Sequence, residues 1–236
     1  MSPACGRRTR IKICGITRAD DAVAAERAGA DAIGLIFWPG TPRVVTFDAA
    51  RAIVAALPPF VTVVGLFVDP PAEEVRAALA SVPLDVLQFH GREPAAFCRA
   101  FGRRYLKAIA VADGVDLGHV AAQYDDAAGI LFDTSRAGDL PGGTGHSFDR
   151  ARLDARLRAS LATRLIVSGG LDAGNVGAVV RDVAPWAVDV SSGVEELDER
   201  GAPRRGRKDA ARIEAFVQAV RDADGRGPPR SPGPIC

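Results

Sequence analysis

Cys14 has the position in this chain that most directly suggests chemistry, because it ends a short β-branched segment and glycine follows it at once. Side chains alternate between the two faces of a strand, so Lys12 and Cys14 share one face. The residues from Thr17 to Ala22 predict the start of a helix, with a capping residue and early acids. A thiol beside an ammonium and a helix N-terminus is placed to act as a base. The alternative interpretation is a buried structural cysteine.

Polar side chains also end two later apolar segments. Asp133 stands at the end of one of them, where a carboxyl group is easily desolvated and its pKa rises. A carboxylate that caps a loop or a helix would explain Asp133 equally well. Gln88 and His90 end the other segment, and their spacing places them on one face at its rim. His90 could orient a substrate or cap a carbonyl, and the sequence leaves both open.

Arg43 follows Pro42, whose ring stiffens the loop that presents the arginine. A guanidinium held in this way can bind a carboxylate or a phosphate through two parallel hydrogen bonds. A solvated surface arginine is the alternative on spacing alone.

Three glycine-rich segments predict an anion site. Glycine lets backbone N–H groups approach an anion without a Cβ in the way. Two of the segments end the seventh and eighth predicted strands, and these are the positions at which a (β/α)8 barrel commonly binds phosphate. The segments contribute Gly142, Gly143 and Thr144, then Gly169 and Gly170, and finally Ser192 and Gly193. Asp189 of the eighth strand is predicted to contact the substrate, as are Lys12 and Gln88.

The elements that must position these residues alternate between apolar strands and amphipathic helices. Eight such units lie between residues 10 and 222, and the strands are continuously apolar, which is typical of parallel strands covered on both faces. This pattern and length predict a single (β/α)8 TIM barrel, whose usual size is about 250 residues. A doubly wound open sheet is the competing fold. Its dinucleotide-binding version needs a G-x-G-x-x-G turn, and the turn after Cys14 does not have one.

Composition narrows the class of protein. The chain has 236 residues, 47% of them hydrophobic, which is enough for one sizeable core. A net charge of +1 argues against nucleic acid or an anionic membrane as partner, and no apolar run is long enough to cross a bilayer. Four widely spaced cysteines without a C-x-x-C pair or a histidine cluster predict neither a metal site nor a disulfide framework. We expect a cytoplasmic protein without a cofactor, acting on a small phosphorylated molecule.

Two segments lie outside the alternating pattern. Asp198–Arg207 is a charged insertion that contains glycine and proline, and we expect a mobile loop there. The C-terminal segment is rich in proline and glycine and cannot hold a helix. The predicted organisation is a catalytic barrel over residues 1–222 and a disordered tail over residues 223–236.

Taken together, the motifs resemble those of the phosphoribosylanthranilate isomerases of tryptophan biosynthesis. They match in order and extend from about Lys12 to Phe216. The motifs are Lys-Ile-Cys-Gly-Ile-Thr, the Pro-Arg of the second loop, Val-Gly-Leu-Phe-Val-Asp, Leu-Gln-Phe-His-Gly, Phe-Asp-Thr with Gly-Gly-Thr-Gly, Ser-Gly-Gly-Leu and Val-Asp-Val-Ser-Ser-Gly-Val-Glu.

The resemblance implies an Amadori rearrangement that turns an aldose into a ketose. By that likeness Cys14 is the general base, Asp133 is the general acid, and Arg43 holds the anthranilate carboxylate. The glycine segments would take the phosphate, and the protein would be a monomer or a homodimer. A thiol with the ordinary cysteine pKa of about 8.5 must lose about one unit to serve as a base at neutral pH. Lys12 and the helix N-terminus are the expected causes of that decrease.

Three alternatives stay open. The histidine-pathway isomerase performs the same rearrangement but has an acid where Cys14 stands. Indole-glycerol-phosphate synthase is another phosphate-binding barrel, but its long N-terminal extension and its catalytic Lys/Glu set are missing. The third alternative is an inactive barrel that senses a phosphorylated metabolite, and the presence of both Cys14 and Asp133 argues against it.

Overall fold

A computed structural model describes residues 8–133, 153, 155–161 and 164–225. Eight parallel strands pair in chain order, and the last pairs with the first, so the sheet closes into the predicted barrel. The strands are β1 (Arg10–Cys14), β2 (Ala32–Ile36), β3 (Thr62–Phe67), β4 (Val86–Phe89), β5 (Arg104–Ala110), β6 (Gly129–Asp133), β7 (Arg164–Ser168) and β8 (Ala187–Val190).

Helices follow the strands and surround the barrel. The fourth is short and continues as a 3-10 turn over Arg99–Phe101, and the 3-10 turn after β8 spans Ser192–Val194. The helices are α1 (Ala19–Ala28), α2 (Phe47–Ala55), α3 (Ala72–Ser81), α4 (Ala95–Cys98), α5 (Leu117–Ala122), α6 (Ala155–Ser160), α7 (Val176–Val183) and α8 (Ala210–Ala223).

The two faces of the strands have different partners. Outward side chains such as Ile13, Ile33 and Val188 are fully buried in the main core between barrel and helices. Inward side chains near the amino ends of the strands form a second apolar cluster that includes Leu131 and Ile166. Burial on both faces explains why the strands read as continuous apolar runs.

Polar residues replace apolar ones farther along the inside of the barrel. The register places Lys12 opposite Asp189 and Cys14 opposite Gly34. Asp133 is opposite Ser168. Since all eight strands are parallel, their carboxyl ends lie at one end of the barrel, and the polar residues of several strands meet there.

The segment that we expected to be a mobile loop is a hairpin. β9 (Glu195–Leu197) and β10 (Pro203–Lys208) pair antiparallel. Asp198 holds the turn, because its Oδ1 accepts hydrogen bonds from the backbone N–H groups of Arg200 and Ala202, each over 2.9 Å. The expectation was wrong because the segment pairs with β9, and its Arg204 and Arg207 bind Glu196 of that strand.

The start of α1 also differs from expectation. Arg18 occupies the cap position and makes no side-chain capping hydrogen bond among the described residues. The Thr17 hydroxyl instead donates to the carbonyl of Gly206 in the hairpin. The buried Asp21 accepts from the backbone N–H of Lys208 over 3.1 Å. The start of α1 therefore binds the hairpin through Thr17 and Asp21, and the expected side-chain cap is not formed.

The C-terminal end of the barrel lies close to its N-terminal strand. Asp224, just after α8, accepts hydrogen bonds from the backbone N–H and the hydroxyl of Thr9, over 2.7 and 2.8 Å. Residues 226–236, most of the predicted tail, lie outside the described residues, so the boundary at residue 222 stays a prediction. No helix in the described ranges combines the length and the apolar composition that crossing a bilayer requires.

Candidate active site

A pocket opens at the carboxyl ends of the barrel strands, and both residues predicted to do acid–base chemistry, Cys14 and Asp133, line it. Arg43, His90 and Asp189 contribute to the same lining. These five residues come from β1, the loop after β2, the end of β4, β6 and β8. The barrel therefore brings together residues that are up to 175 positions apart in the chain, which is the placement that the sequence analysis expected.

One wall of the pocket is apolar. Sequence analysis did not select these residues, because apolar residues at strand ends look the same as core residues. Such a wall suits a flat hydrophobic group, whereas the opposite side carries polar and glycine residues. The apolar wall consists of Ile36, Trp38, Leu66 and Val68, which pack together.

The Cys14 thiol is buried and lies close to the Lys12 ammonium. A Cβ built on Gly34 would be 2.7 Å from Cys14 Sγ and 3.1 Å from Lys12 Nζ, so glycine at this position leaves room for both groups. The Lys12 Nζ donates to Asp189 Oδ1 over 2.8 Å. Lys12 lies below Cys14 and is absent from the pocket lining, so the structure does not place its side chain where a substrate would contact it.

Burial raises the pKa of Cys14, and this effect outweighs the positive charge of Lys12, which lowers it. Asp189 raises the pKa of the thiol further, because a nearby negative charge disfavours the thiolate. Burial lowers the pKa of Lys12, but the charges of Asp189 and Cys14 leave it above its ordinary value. The net direction for Cys14 is opposite to the one expected from sequence, since burial is the larger influence.

Asp133 has a neutral polar neighbour. His90 Nε2 lies 2.9 Å from Asp133 Oδ2, and Gln88 Nε2 lies 3.0 Å from His90 Nδ1. With the Gln88 amide in this orientation its N–H donates to Nδ1, and the imidazole proton is assigned to Nε2, which donates to Asp133. Gln88 is fully buried below the pocket, and its Oε1 has no hydrogen-bond partner among the described residues. The predicted pair on the rim of β4 is thus a hydrogen-bonded chain that ends on Asp133.

A buried ion pair fixes the loop that carries His90. Glu93 Oε2 lies 2.9 Å from Lys107 Nζ, and both side chains are almost completely buried. Glu93 also accepts from the backbone N–H groups of Gly91 and Asp69. Lys107 donates to the carbonyl of Gly91 over 2.6 Å. We did not select Glu93 or Lys107 from the sequence, because no spacing pattern connects them with His90.

Arg43 is a buried arginine rather than the solvated one of the alternative interpretation, with 4% of its surface exposed. Its Nε donates to Glu195 Oε1 over 2.7 Å, and its Nη2 donates to Glu195 Oε2 over 2.8 Å. Glu195 is fully buried and also lies 3.2 Å from Lys208 Nζ. Sequence analysis assigned no role to Glu195 or Lys208, which flank the Asp198–Arg207 segment that we expected to be a mobile loop.

The glycine segments have different positions. Gly169 and Gly170 line the pocket with φ of 91° and 60°, a backbone region in which glycine is strongly favoured, and Ser192 lines it beside them. Gly193 is not among the lining residues. A Cβ on Gly193 would lie 1.9 Å from the carbonyl oxygen of Leu171, so glycine is needed there for close packing of two loops. The predicted phosphate-binding residues Gly142, Gly143 and Thr144 lie outside the described residues.

Residues 11–219 match the protein family described as N-(5'-phosphoribosyl)anthranilate (PRA) isomerase. An N-(5'-phosphoribosyl)anthranilate isomerase from Pseudomonas aeruginosa is 53% identical over 212 residues, which are 90% of this chain and 95% of that protein.

Solved structures agree with the sequence comparison. A phosphoribosyl anthranilate isomerase from Thermotoga maritima is 35% identical with a TM-score of 0.80, and the match covers 91% of this chain and 99% of that one. A further isomerase structure, solved in complex with reduced 1-(o-carboxyphenylamino)-1-deoxyribulose 5-phosphate, is 35% identical with a TM-score of 0.77 and the same coverage.

Proposed function

The chain belongs to the N-(5'-phosphoribosyl)anthranilate isomerase family, and from this membership we propose how its pocket performs the isomerisation. The reaction converts N-(5-phosphoribosyl)anthranilate into 1-(o-carboxyphenylamino)-1-deoxyribulose 5-phosphate in tryptophan biosynthesis. The observation that supports the proposed mechanism is that one thiol and one carboxyl group, Cys14 and Asp133, line the same pocket. The rearrangement needs one acid and one base that can both reach the same substrate.

The rearrangement needs two proton transfers to or from the substrate before the ketose forms. An acid gives a proton to the ribose ring oxygen, the C1–O bond breaks, and the nitrogen lone pair forms an iminium. A base then removes the proton from C2, and those electrons neutralise the iminium to give an enolamine. Tautomerisation of the enolamine yields the ketose, so the atoms balance without an oxidant or a reductant.

We propose Asp133 as the acid, since it ends β6 in the pocket and a neutral histidine lies against it. An uncharged neighbour does not repel the proton that the acid must carry. His90 therefore orients the Asp133 carboxyl group in the pocket without adding a charge beside it.

Cys14 is the proposed base, and the thiolate is the form that can accept the C2 proton. The raised pKa of Cys14 means that this form is scarce at neutral pH. Two positive charges act against the effect of burial: the Lys12 ammonium and the iminium that forms on the substrate. The second of these appears only after ring opening, when the base is needed.

The remaining lining residues are proposed to bind the substrate. Gly169, Gly170 and Ser192 offer backbone N–H groups and a hydroxyl to the phosphate. Arg43 would bind the anthranilate carboxylate, and the apolar wall would hold the aromatic ring. The contribution of Gly142, Gly143 and Thr144 to phosphate binding stays a prediction.

The setting of the enzyme follows from the same reasoning. A free thiol that acts as a base needs a reducing compartment, and Cys14 and Cys98 are both unpaired in the described part of the chain. We therefore propose a cytoplasmic enzyme, monomeric or homodimeric, without a nucleic-acid or membrane partner.

The test is a steady-state assay of the purified chain with N-(5-phosphoribosyl)anthranilate, followed by the loss of substrate fluorescence. The histidine-pathway aldose serves as the competing substrate. Turnover of the first substrate with much higher kcat/KM is the expected result. Binding without turnover would favour the metabolite sensor, and preferential turnover of the second substrate would assign the chain to the other pathway.

A further inference from the structure

Three buried charged residues form one network behind the pocket: Arg43, Glu195 and Lys208. Arg43 is 4% exposed, Lys208 is 3% exposed, and Glu195 has no exposed surface. Glu195 accepts four hydrogen bonds: two from the Arg43 guanidinium, one from Lys208 Nζ over 3.2 Å, and one from the backbone N–H of Gly206 over 2.8 Å. Of the three residues, only Arg43 lines the pocket.

We propose that Glu195 and Lys208 are positioning residues that aim the Arg43 guanidinium at the carboxylate of the substrate. This inference rests on the proposed function, in which Arg43 binds that carboxylate. Neither residue touches the substrate. Both act through Arg43.

The geometry of the Arg43–Glu195 pair supports this role. Glu195 occupies the side of the guanidinium formed by Nε and Nη2. An arginine has five N–H donors in a planar fork, so the end formed by Nη1 and the second proton of Nη2 is not used by Glu195. A second carboxylate can bind that end with two parallel hydrogen bonds. The buried glutamate thus fixes the plane and the direction of the fork.

Lys208 restores the positive charge that Glu195 would otherwise cancel. The Lys208 ammonium has three protons, and three acceptors lie around it: Glu195 Oε1, the carbonyl of Ser191 over 2.9 Å and the Ser191 hydroxyl over 3.4 Å. Burial raises the pKa of Glu195, but the Arg43 hydrogen bond and the two positive charges lower it to a net value below its ordinary range. Burial lowers the pKa of Lys208 below its ordinary value, and the charge of Glu195 opposes that effect. With Glu195 ionised and both cations protonated, the network has a net charge of +1 for an anionic group in the pocket.

The network also relates Arg43 to the proposed base and to the anion loop. A Cβ on Gly15 would lie 2.7 Å from Arg43 Cδ and 3.1 Å from Ser191 Oγ, so the arginine stem lies on the residue that follows Cys14. Ser191 lines the pocket next to Ser192. A displaced Arg43 would therefore move the substrate relative to Cys14.

The test compares Glu195→Gln with Glu196→Gln. Glu196 is the next residue of the hairpin, its side chain is 27% exposed, and it pairs with Arg207 away from the pocket. We expect Glu195→Gln to raise the KM for N-(5-phosphoribosyl)anthranilate by about tenfold, because the amide loses the negative charge and one of the two oxygens that hold the Arg43 fork. The change in kcat should be smaller. Glu196→Gln should leave both constants unchanged.

Two further measurements separate positioning from a merely structural role. The affinity for inorganic phosphate, measured by calorimetry, should not change in Glu195→Gln, since the phosphate loops are intact. In an Arg43→Ala background, Glu195→Gln should raise KM no further, because its effect passes through Arg43. If Glu195→Gln does not fold, Glu195→Asp keeps the charge but withdraws the carboxylate, and it should raise KM in the same direction.

The outcomes for the two proposals differ. Absence of turnover in the unmodified chain would overturn the proposed function. Turnover in the unmodified chain with an unchanged KM in Glu195→Gln or Glu195→Asp would overturn the positioning role alone. A parallel loss of phosphate affinity and carboxylate affinity would also overturn it, since that result indicates general damage to the pocket.

Discussion

The two reacting groups of the pocket, Cys14 and Asp133, lie on different sides of it and have neighbours of different charge. On the β1–β8 side, Cys14 lies beside a buried ion pair made by Lys12 and Asp189. On the β4–β6 side, Asp133 lies against His90, which is held in its neutral form by Gln88. Among the described residues, one reacting group lies beside a charged pair, and the other lies against a neutral polar chain.

The difference corresponds to the proton that each group must move. The base must ionise to a thiolate in a buried site. A nearby cation offsets the desolvation cost of that negative charge. An acid has to carry a proton until the ring opens, and a fixed cation beside it would expel that proton too early. The neutral histidine gives orientation without that penalty.

The largest expected effect is that of Cys14→Ser. A serine hydroxyl is a far weaker base than a thiolate, so kcat should fall by about 10³- to 10⁴-fold, the upper part of what general acid–base catalysis contributes. Binding of the reduced product analogue should persist, because the phosphate and carboxylate contacts remain. Single-turnover kinetics and calorimetry measure the two quantities. Near-normal turnover would remove the cysteine from the mechanism.

Asp133→Asn should have the next largest effect. The amide keeps the hydrogen-bonding shape but has no proton acidic enough for the ring oxygen, so kcat should fall by about 10²- to 10³-fold. A loss confined to kcat indicates a group that acts in the transition state. If only KM rises, Asp133 is a binding residue, and the acid must be sought elsewhere in the pocket.

The contrast between the two sides was only partly predictable from sequence. The strand period places Lys12 and Cys14 on one face, and the apolar segments predict the barrel and the residues that end each strand. The Lys12–Asp189 pair was not predicted, because it joins residues 177 positions apart. It exists only because β8 closes on β1 in the observed register.

The residues behind Arg43 show a second limit of the sequence. Glu195 and Lys208 lie in or next to a segment whose charge, glycine and proline content is typical of exposed loops. The two ends of the segment are held by burial of Glu195 and Lys208 against residues from distant elements, such as Arg43, which is 152 positions away from Glu195. Local composition cannot report a partner at that distance.

Lys12→Met tests the charged side of the comparison. Lys12 lowers the pKa of Cys14 by its charge, so its removal should raise that pKa further. The thiolate then forms only at higher pH, and the rising limb of kcat/KM against pH should move toward alkaline values. At neutral pH we expect about a tenfold loss, which corresponds to one pKa unit. The thiolate absorbance of Cys14, measured against a Cys14→Ser baseline, checks the assignment.

Asp189→Asn is the matched control for that experiment, because its expected sign is opposite. Asp189 raises the pKa of Cys14, so the amide should lower it and move the same limb toward acid values. General damage to the pocket cannot explain two variants of one ion pair that shift the rising limb of kcat/KM in opposite directions. If both shift it the same way, charge is not what Lys12 supplies to the thiol.

Gln88→Leu should have the smallest effect and tests the neutral side. Without the amide donor, His90 is free to place its proton on either nitrogen, so Asp133 loses part of its orientation and kcat should fall several-fold. The free energy of unfolding should change little or rise, since the variant removes the Gln88 Oε1, an atom that is buried without a partner among the described residues. Kinetics together with denaturant unfolding distinguish this outcome from a packing defect, in which stability would decrease and kcat would not. An unchanged kcat would show that the neutral form of His90 does not depend on Gln88, and the contrast between the two sides would then rest on Asp133 and His90 alone.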